Sequence, residues 1–174
     1  KVVTALARFF RISLSKGKSI IPVKDELEHV RNYLMIQHMR YKNKFTYDIE
    51  ADEDVLELAS LKLMLQPLVE NAVIHGIADQ EEGGAIYIRI REKGELLWIS
   101  VADTGEGIDE DKLEKIKRAL KEGDGSGVGI GLGNIARRLK AMYEDGEVRI
   151  ESRKGCATVV QLAFTPENCK EDEP

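Results

Sequence analysis

Apolar and polar positions change period several times along the chain, and each change marks an element. Over residues 2 to 14, Val2, Val3, Leu6, Phe9, Phe10 and Leu14 recur at helical spacing, and Ser13-Leu14-Ser15-Lys16-Gly17 reads as the end of that helix. A short linker with Pro22 follows. Leu27, Val30, Leu34 and Ile36 then predict a second helix to about Tyr41, and Phe45 to Ile49 reads as a strand. Residues 60 to 76 are largely apolar and helical, interrupted by Pro67. Proline is tolerated in a first helical turn, so this helix is placed from near Gln66 to Gly76, a glycine suited to a C-cap.

Two clear strands come next. Ile86, Ile88 and Ile90 alternate with Tyr87, Arg89 and Arg91, and Leu97, Ile99 and Val101 alternate with Trp98 and Ser100, with Lys93-Gly94 as the turn between them. Asp109 is placed to N-cap a short helix that carries Leu113, Ile116 and Leu120 on one face. Residues 121 to 131 hold five glycines and few apolar anchors, which predicts a mobile segment. A helix from about 132 to 143 and strands near 147–153 and 156–164 complete the pattern, before an acidic tail from Pro166 that is expected to fray. Consecutive strands joined by short turns are antiparallel neighbours. The expected fold is therefore α+β: a two-layer sandwich with a mixed, mainly antiparallel sheet and helices on one face.

Composition narrows the function. At 174 residues, 43% hydrophobic and 33% charged, the chain reads as one folded domain with an appendage. A net charge of -5 argues against nucleic acid as a partner. Two cysteines without a Cys-x-x-Cys spacing point to neither a disulfide framework nor a zinc site, and fit a reducing compartment. No apolar run is long enough to span a membrane. The opening Lys1-Val2-Val3 reads as mid-helix in a longer protein.

Three islands carry candidate chemistry. Asp103-Thr104-Gly105-Glu106-Gly107 follows a strand; its glycines let the backbone turn and approach a flat ligand, and a carboxylate accepts hydrogen bonds from the exocyclic amino group of adenine. The same residues also fit a surface turn. Gly127-Val128-Gly129-Ile130-Gly131-Leu132 runs into a helix, where oriented amides attract phosphate; a flexible linker is the alternative. Asn71 lies inside a helix, where asparagine is a mediocre former, and its carbonyl suits magnesium. It also fits a buried, hydrogen-bonded amide. Glu70 beside it is placed to take a magnesium-bound water or an incoming proton, and His75, one turn on, to touch phosphate or the helix-end dipole. The dinucleotide and P-loop glycine patterns are both absent.

The segment Leu65-Gln66-Pro67-Leu68-Val69-Glu70-Asn71-Ala72-Val73-Ile74-His75-Gly76 resembles the N box of sensor histidine kinases of the LytS/YesM type, within the GHKL (Bergerat-fold) ATP-binding superfamily. Residues 103–107 resemble the G1 box, and Gly129 to Asn134 with Arg138-Leu139 resemble the G2 box and its helix. Pro22-Val23, Glu26-Leu27-Glu28 and the Tyr33–Tyr41 helix are also similar to that subfamily. The resemblance implies that Asp103 binds the adenine amino group, with Gly105, Gly107 and Ile108 shaping that wall and Thr158 assisting through its hydroxyl and a water. It implies that Asn71 ligates Mg2+ and that Gly127, Val128, Gly129, Ile130, Gly131 and Leu132 wrap the triphosphate as part of a lid, with His75 nearby. Glu70 and Asn71 would be the catalytic pair. ATP would give its γ-phosphoryl to a histidine, and thence to a response-regulator aspartate.

Three departures shape the expectation. The family's Pro-His-Phe type acceptor motif is absent, so His29 and His38 are not expected to be acceptors and this chain is not expected to label itself. Ala157 stands where the third glycine box usually has glycine. Pro67 stands four residues before Asn71, where hydrolytic members carry a glutamate base, which favours phosphotransfer over hydrolysis. The alternatives are a GHKL-type ATPase and a non-catalytic, nucleotide-gated interaction module. The implied organisation is the end of a dimerisation helix over 1–16, a linker over 17–21, a catalytic ATP-binding domain over 22–165 and a disordered tail over 166–174. The implied setting is the cytoplasmic part of a membrane-bound bacterial sensor, a homodimer at full length, with no membrane contact by this segment.

Overall fold

The computed structural model describes residues 19–42, 44–77, 80, 83–122 and 129–166. The expected helix over 2–14, Gly127, Val128 and the tail beyond Pro166 lie outside the described residues. In chain order the elements are β1 (Ile20–Pro22), α1 (Val23–Arg40), β2 (Phe45–Ala51), a 3-10 turn (Glu53–Val55), β3 (Ala59–Leu61), α2 (Leu65–Asn71) and a π-helical segment (Ala72–Ile77). There follow β4 (Gly84–Lys93), β5 (Leu96–Asp103), α3 (Glu110–Glu122), α4 (Ile130–Met142), β6 (Glu147–Arg153) and β7 (Ala157–Phe164).

Five strands form one sheet in the order β2-β4-β5-β7-β6, with β2 parallel to β4 and every other pair antiparallel. This is the mixed, mainly antiparallel two-layer fold that the alternation predicts. Ile86, Ile88 and Ile90 of β4, Leu97, Ile99 and Val101 of β5, and Val160, Leu162 and Phe164 of β7 all point into one core. The helices cover that face with Leu27, Val30 and Leu34 of α1, Leu113, Ile116 and Leu120 of α3, and Leu132, Ile135 and Leu139 of α4. Arg89 pairs with Asp48 and Glu50 on the opposite face, and Lys93 and Arg149 lie over the Trp98 ring. These surface pairs contribute little stability; their value is that they leave the other face polar.

The structure corrects three local expectations. Ile20–Pro22, read as linker, pairs antiparallel with Ala59–Leu61, which precedes the helix expected from near Gln66, in a separate two-stranded ribbon. The helix predicted to run unbroken to Gly76 is α-helical only to Asn71 and then widens to the π form. The helix after the glycine run, expected from about residue 132, opens at Ile130, so Gly131 sits in its first turn and not in a loop. Asp109 behaves as expected of an N-cap residue, its Oδ1 accepting from the Asp111 amide at 3.4 Å.

The start of α2 rests on a residue from α1. Glu26 is buried, and its carboxylate accepts hydrogen bonds from the amides of Leu63 (2.5 Å), Met64 (3.0 Å) and Leu65 (3.0 Å). First-turn amides lack helical partners, and an anion there also meets the positive end of the helix dipole. Burial nevertheless pushes the Glu26 carboxyl above its ordinary value, against those three bonds. Arg138 of α4 donates to the Lys62 carbonyl at 2.7 Å, so α1 and α4 both hold the turn that launches α2.

Candidate nucleotide site

The site is assembled where the π segment meets the end of β5. Asp103 is the last residue of β5 and occupies a core-facing position, only 6% exposed. Its Oδ1 accepts the Gly105 amide at 2.9 Å. Desolvation pushes its pKa up to about 6, and the Gly105 bond opposes that rise. Among the described residues Oδ2 takes no hydrogen bond, so the carboxylate keeps one acceptor oxygen for a ligand.

Glycines make this close approach possible. A Cβ on Gly76 would lie 2.5 Å from Asp103 Oδ1, and a Cβ on Gly105 would lie 2.2 Å from the Gly76 carbonyl oxygen. Gly76 is therefore required by its contact with Asp103, not by a C-cap, and it has no positive φ. Gly107 does adopt φ +65°, and a Cβ there would meet the Arg153 carbonyl at 2.0 Å. The loop is stitched to the β6–β7 hairpin by the Gly155 amide on Glu106 O at 2.6 Å and the Ile108 amide on Ser152 Oγ at 2.8 Å. Thr158 stands directly opposite Asp103 in the β5–β7 register, so the structure brings Asp103, Gly105, Gly107, Ile108 and Thr158 together.

The other end is built by α2 and α4. Asn71 is half-buried at the α-to-π junction, five residues before Gly76, which matches the i to i+5 repeat of a π turn. Gly129 is the N-cap position of α4, and a Cβ on Gly131 would lie 4.0 Å from Asn71 Nδ2 and 3.5 Å from Pro67 Cβ. The α4 N-terminus thus faces Asn71. His75 is exposed on the π segment. A cavity of about 620 Å³ opens here, between Leu63 and Pro67 on one side and Gly131, Asn134 and Arg138 on the other. Neither Asp103 nor Thr158 lines it.

Glu70 sits at the end of a hydrogen-bonded chain that the sequence reading missed. The wholly buried His29 ring pairs through Nε2 with Gln66 Oε1, and Gln66 Nε2 donates to Glu70 Oε1 at 2.5 Å. Burial holds the His29 imidazole below its ordinary pKa, while the Gln66 bond opposes this. The i,i+4 spacing of Gln66 and Glu70 was a visible signal; the His29 partner, 37 residues away, was not. Ser152 was also missed.

No group of three or more His, Cys, Asp or Glu side chains able to hold a metal occurs among the described residues.

Residues 57–168, more than half of the chain, match the family model described as Histidine kinase-, DNA gyrase B-, and HSP90-like ATPase, and residues 1–45 match that described as Histidine kinase. The chain belongs to the first of these families. Within it, the chain is a histidine-kinase ATPase catalytic domain of the sensor type. It is 32% identical over 173 residues to Sensor protein LytS of Oceanobacillus iheyensis, covering 97% of this chain and 29% of that one. It is 33% identical over 147 residues to Sensor histidine kinase YpdA of Escherichia coli K12, covering 84% of this chain and 25% of that one. The fold is similar to the histidine kinase domain of the Erythrobacter litoralis EL346 blue-light activated histidine kinase, with a TM-score of 0.63, 20% identity, and coverage of 97% of this chain and 79% of that one. The chain spans less than a third of the curated relatives' length.

Proposed function

We propose that this domain binds ATP with Mg2+ and passes the γ-phosphoryl group to a histidine imidazole, on a helix of its own or a paired subunit, for onward delivery to a response-regulator aspartate. The observation that supports this best is the buried Asp103 carboxylate, raised in pKa yet wedged between Gly76 and Gly105 with an oxygen to spare. Such an arrangement costs stability, and a ligand that donates hydrogen bonds offsets it.

Asp103 accepts from the adenine amino group, with Thr158 beside it. Gly107 and Ile108 hold the loop that borders the base. Gly129, Ile130, Gly131 and Leu132 present the first turn of α4 to the phosphates, with Gly127 and Val128 preceding them. Asn71 would hold Mg2+, which when bound supplies charge neutralisation to the phosphates. Gln66 orients Glu70, whose carboxylate takes the imidazole proton as the nitrogen–phosphorus bond forms and the bond to ADP breaks. Positioning and electrostatics supply most of such catalysis. Pro67 next to Gly131 offers no carboxylate to activate water, which favours transfer to protein over hydrolysis.

The sensor relatives support a place in the cytoplasmic part of a membrane-bound, dimeric receptor, with residues 1–16 ending the dimerisation helix. Among the described residues no helix is long and apolar enough to cross a membrane. Calorimetric titration of the chain with a non-hydrolysable ATP analogue, with magnesium and with chelator, tests the core of the reading. Magnesium-dependent binding is expected. A folded chain that binds nothing would refute it.

A further inference from the structure

Asp103, Thr158 and Ser152 lie on one rung of the sheet, paired in register across β5, β7 and β6. Side chains paired in register share a face of the sheet. The Ser152 hydroxyl has one proton and two lone pairs. Its proton goes to the Ala157 carbonyl at 2.8 Å, and one lone pair accepts the Ile108 amide at 2.8 Å. A third partner, Thr158 Oγ1, stands at 2.8 Å. With the Ser152 proton committed, Thr158 must be the donor in that contact. Its own single proton is then engaged, and only lone pairs remain for anything bound beside Asp103. An ionised Asp103 likewise offers only acceptors.

We propose that Ser152 is a specificity-determining positioning residue: by taking the Thr158 proton it leaves Thr158 and Asp103 as adjacent acceptors, a pair that fits an exocyclic amino group and repels a carbonyl. The ligand selected is an adenine nucleotide over a guanine nucleotide. An adenine amino group has two hydrogens to give, whereas the corresponding guanine oxygen has none. The inference rests on the nucleotide reading above. Ser152 need not touch the base; it acts through the direction of one hydroxyl.

The test is calorimetry of the folded chain at pH 8 with non-hydrolysable ATP and GTP analogues. The parent is expected to prefer the adenine nucleotide. Ser152→Ala frees the Thr158 proton to turn toward a guanine carbonyl, so the ATP-to-GTP affinity ratio should fall about fivefold, the equivalent of one ordinary hydrogen bond. Ser152→Thr keeps the hydroxyl and should restore the ratio, which a loss of packing alone would not predict. Thr158→Val removes the group through which Ser152 acts, so adding Ser152→Ala to it should leave the ratio unchanged. Should Ser152→Ala fail to fold, Ser152→Cys, a much weaker acceptor, takes its place with the same expected fall. A folded Ser152→Ala or Ser152→Cys variant with the parent's ratio overturns the proposal while leaving the nucleotide reading intact. A parent that binds neither analogue overturns both.

Discussion

Replacing Asp103 with asparagine keeps the shape of the side chain and removes its charge. The native carboxyl has a pKa of about 6, above its ordinary 3.8, because burial disfavours the ionised form more than the Gly105 amide stabilises it. A group whose pKa is raised on folding holds more protons in the folded state. Stability therefore falls as pH rises through the window from about 4 to about 6. Full conversion of that difference gives about 3 kcal/mol; partial solvent access to a site that must admit a ligand reduces it to about 1–2 kcal/mol. The substituted amide would still accept from Gly105 but carries no cost of ionisation. Urea unfolding at pH 7.5 should show Asp103→Asn more stable than the parent by that amount, and the two should converge near pH 4. The same variant should bind the ATP analogue at least tenfold more weakly, since its amide can face the adenine amino group with a donor. The parent's affinity should itself decline as pH falls below about 6. A variant no more stable than the parent at pH 7.5, with the parent's pH slope retained, would refute the reasoning.

Other expectations follow from the same geometry. Asn71→Ala should abolish most of the difference between nucleotide affinity measured with magnesium and with chelator; an unchanged difference would remove Asn71 from the metal site. Gly105→Ala drives a Cβ into the Gly76 backbone, at 2.2 Å from its carbonyl oxygen, and should cost about 1–3 kcal/mol or more in thermal unfolding together with nucleotide binding. Glu26→Ala strands the amides of Leu63, Met64 and Leu65 in a buried turn, and should cost about 2–4 kcal/mol in denaturant unfolding. A loss below about 1 kcal/mol would show that water replaces the carboxylate at no cost.

The sequence by itself determined the elements whose signal is local. Alternation in residues 86–90 and 97–101 announced the central strands because one face of each is buried and the other is wet. Asp103 with its glycines, and Asn71 on its helix, stood out as candidates because residue type and short spacing suit the chemistry proposed for them. Tertiary structure alone decided what depends on partners far apart in the chain. The parallel pairing of β2 with β4, and the β1–β3 ribbon, follow from packing and leave no local mark. The π turn after Asn71 is likewise invisible in a run of apolar residues, yet it seats Gly76 against Asp103. Glu26 reaches 37 to 39 residues to cap α2, and Ser152 reaches back 44 residues to Ile108. A glutamate or serine in an amphipathic stretch reads as solvated surface. Only the fold, by bringing distant partners to each, turns one into a helix cap and the other into the residue that sets the direction of the Thr158 proton.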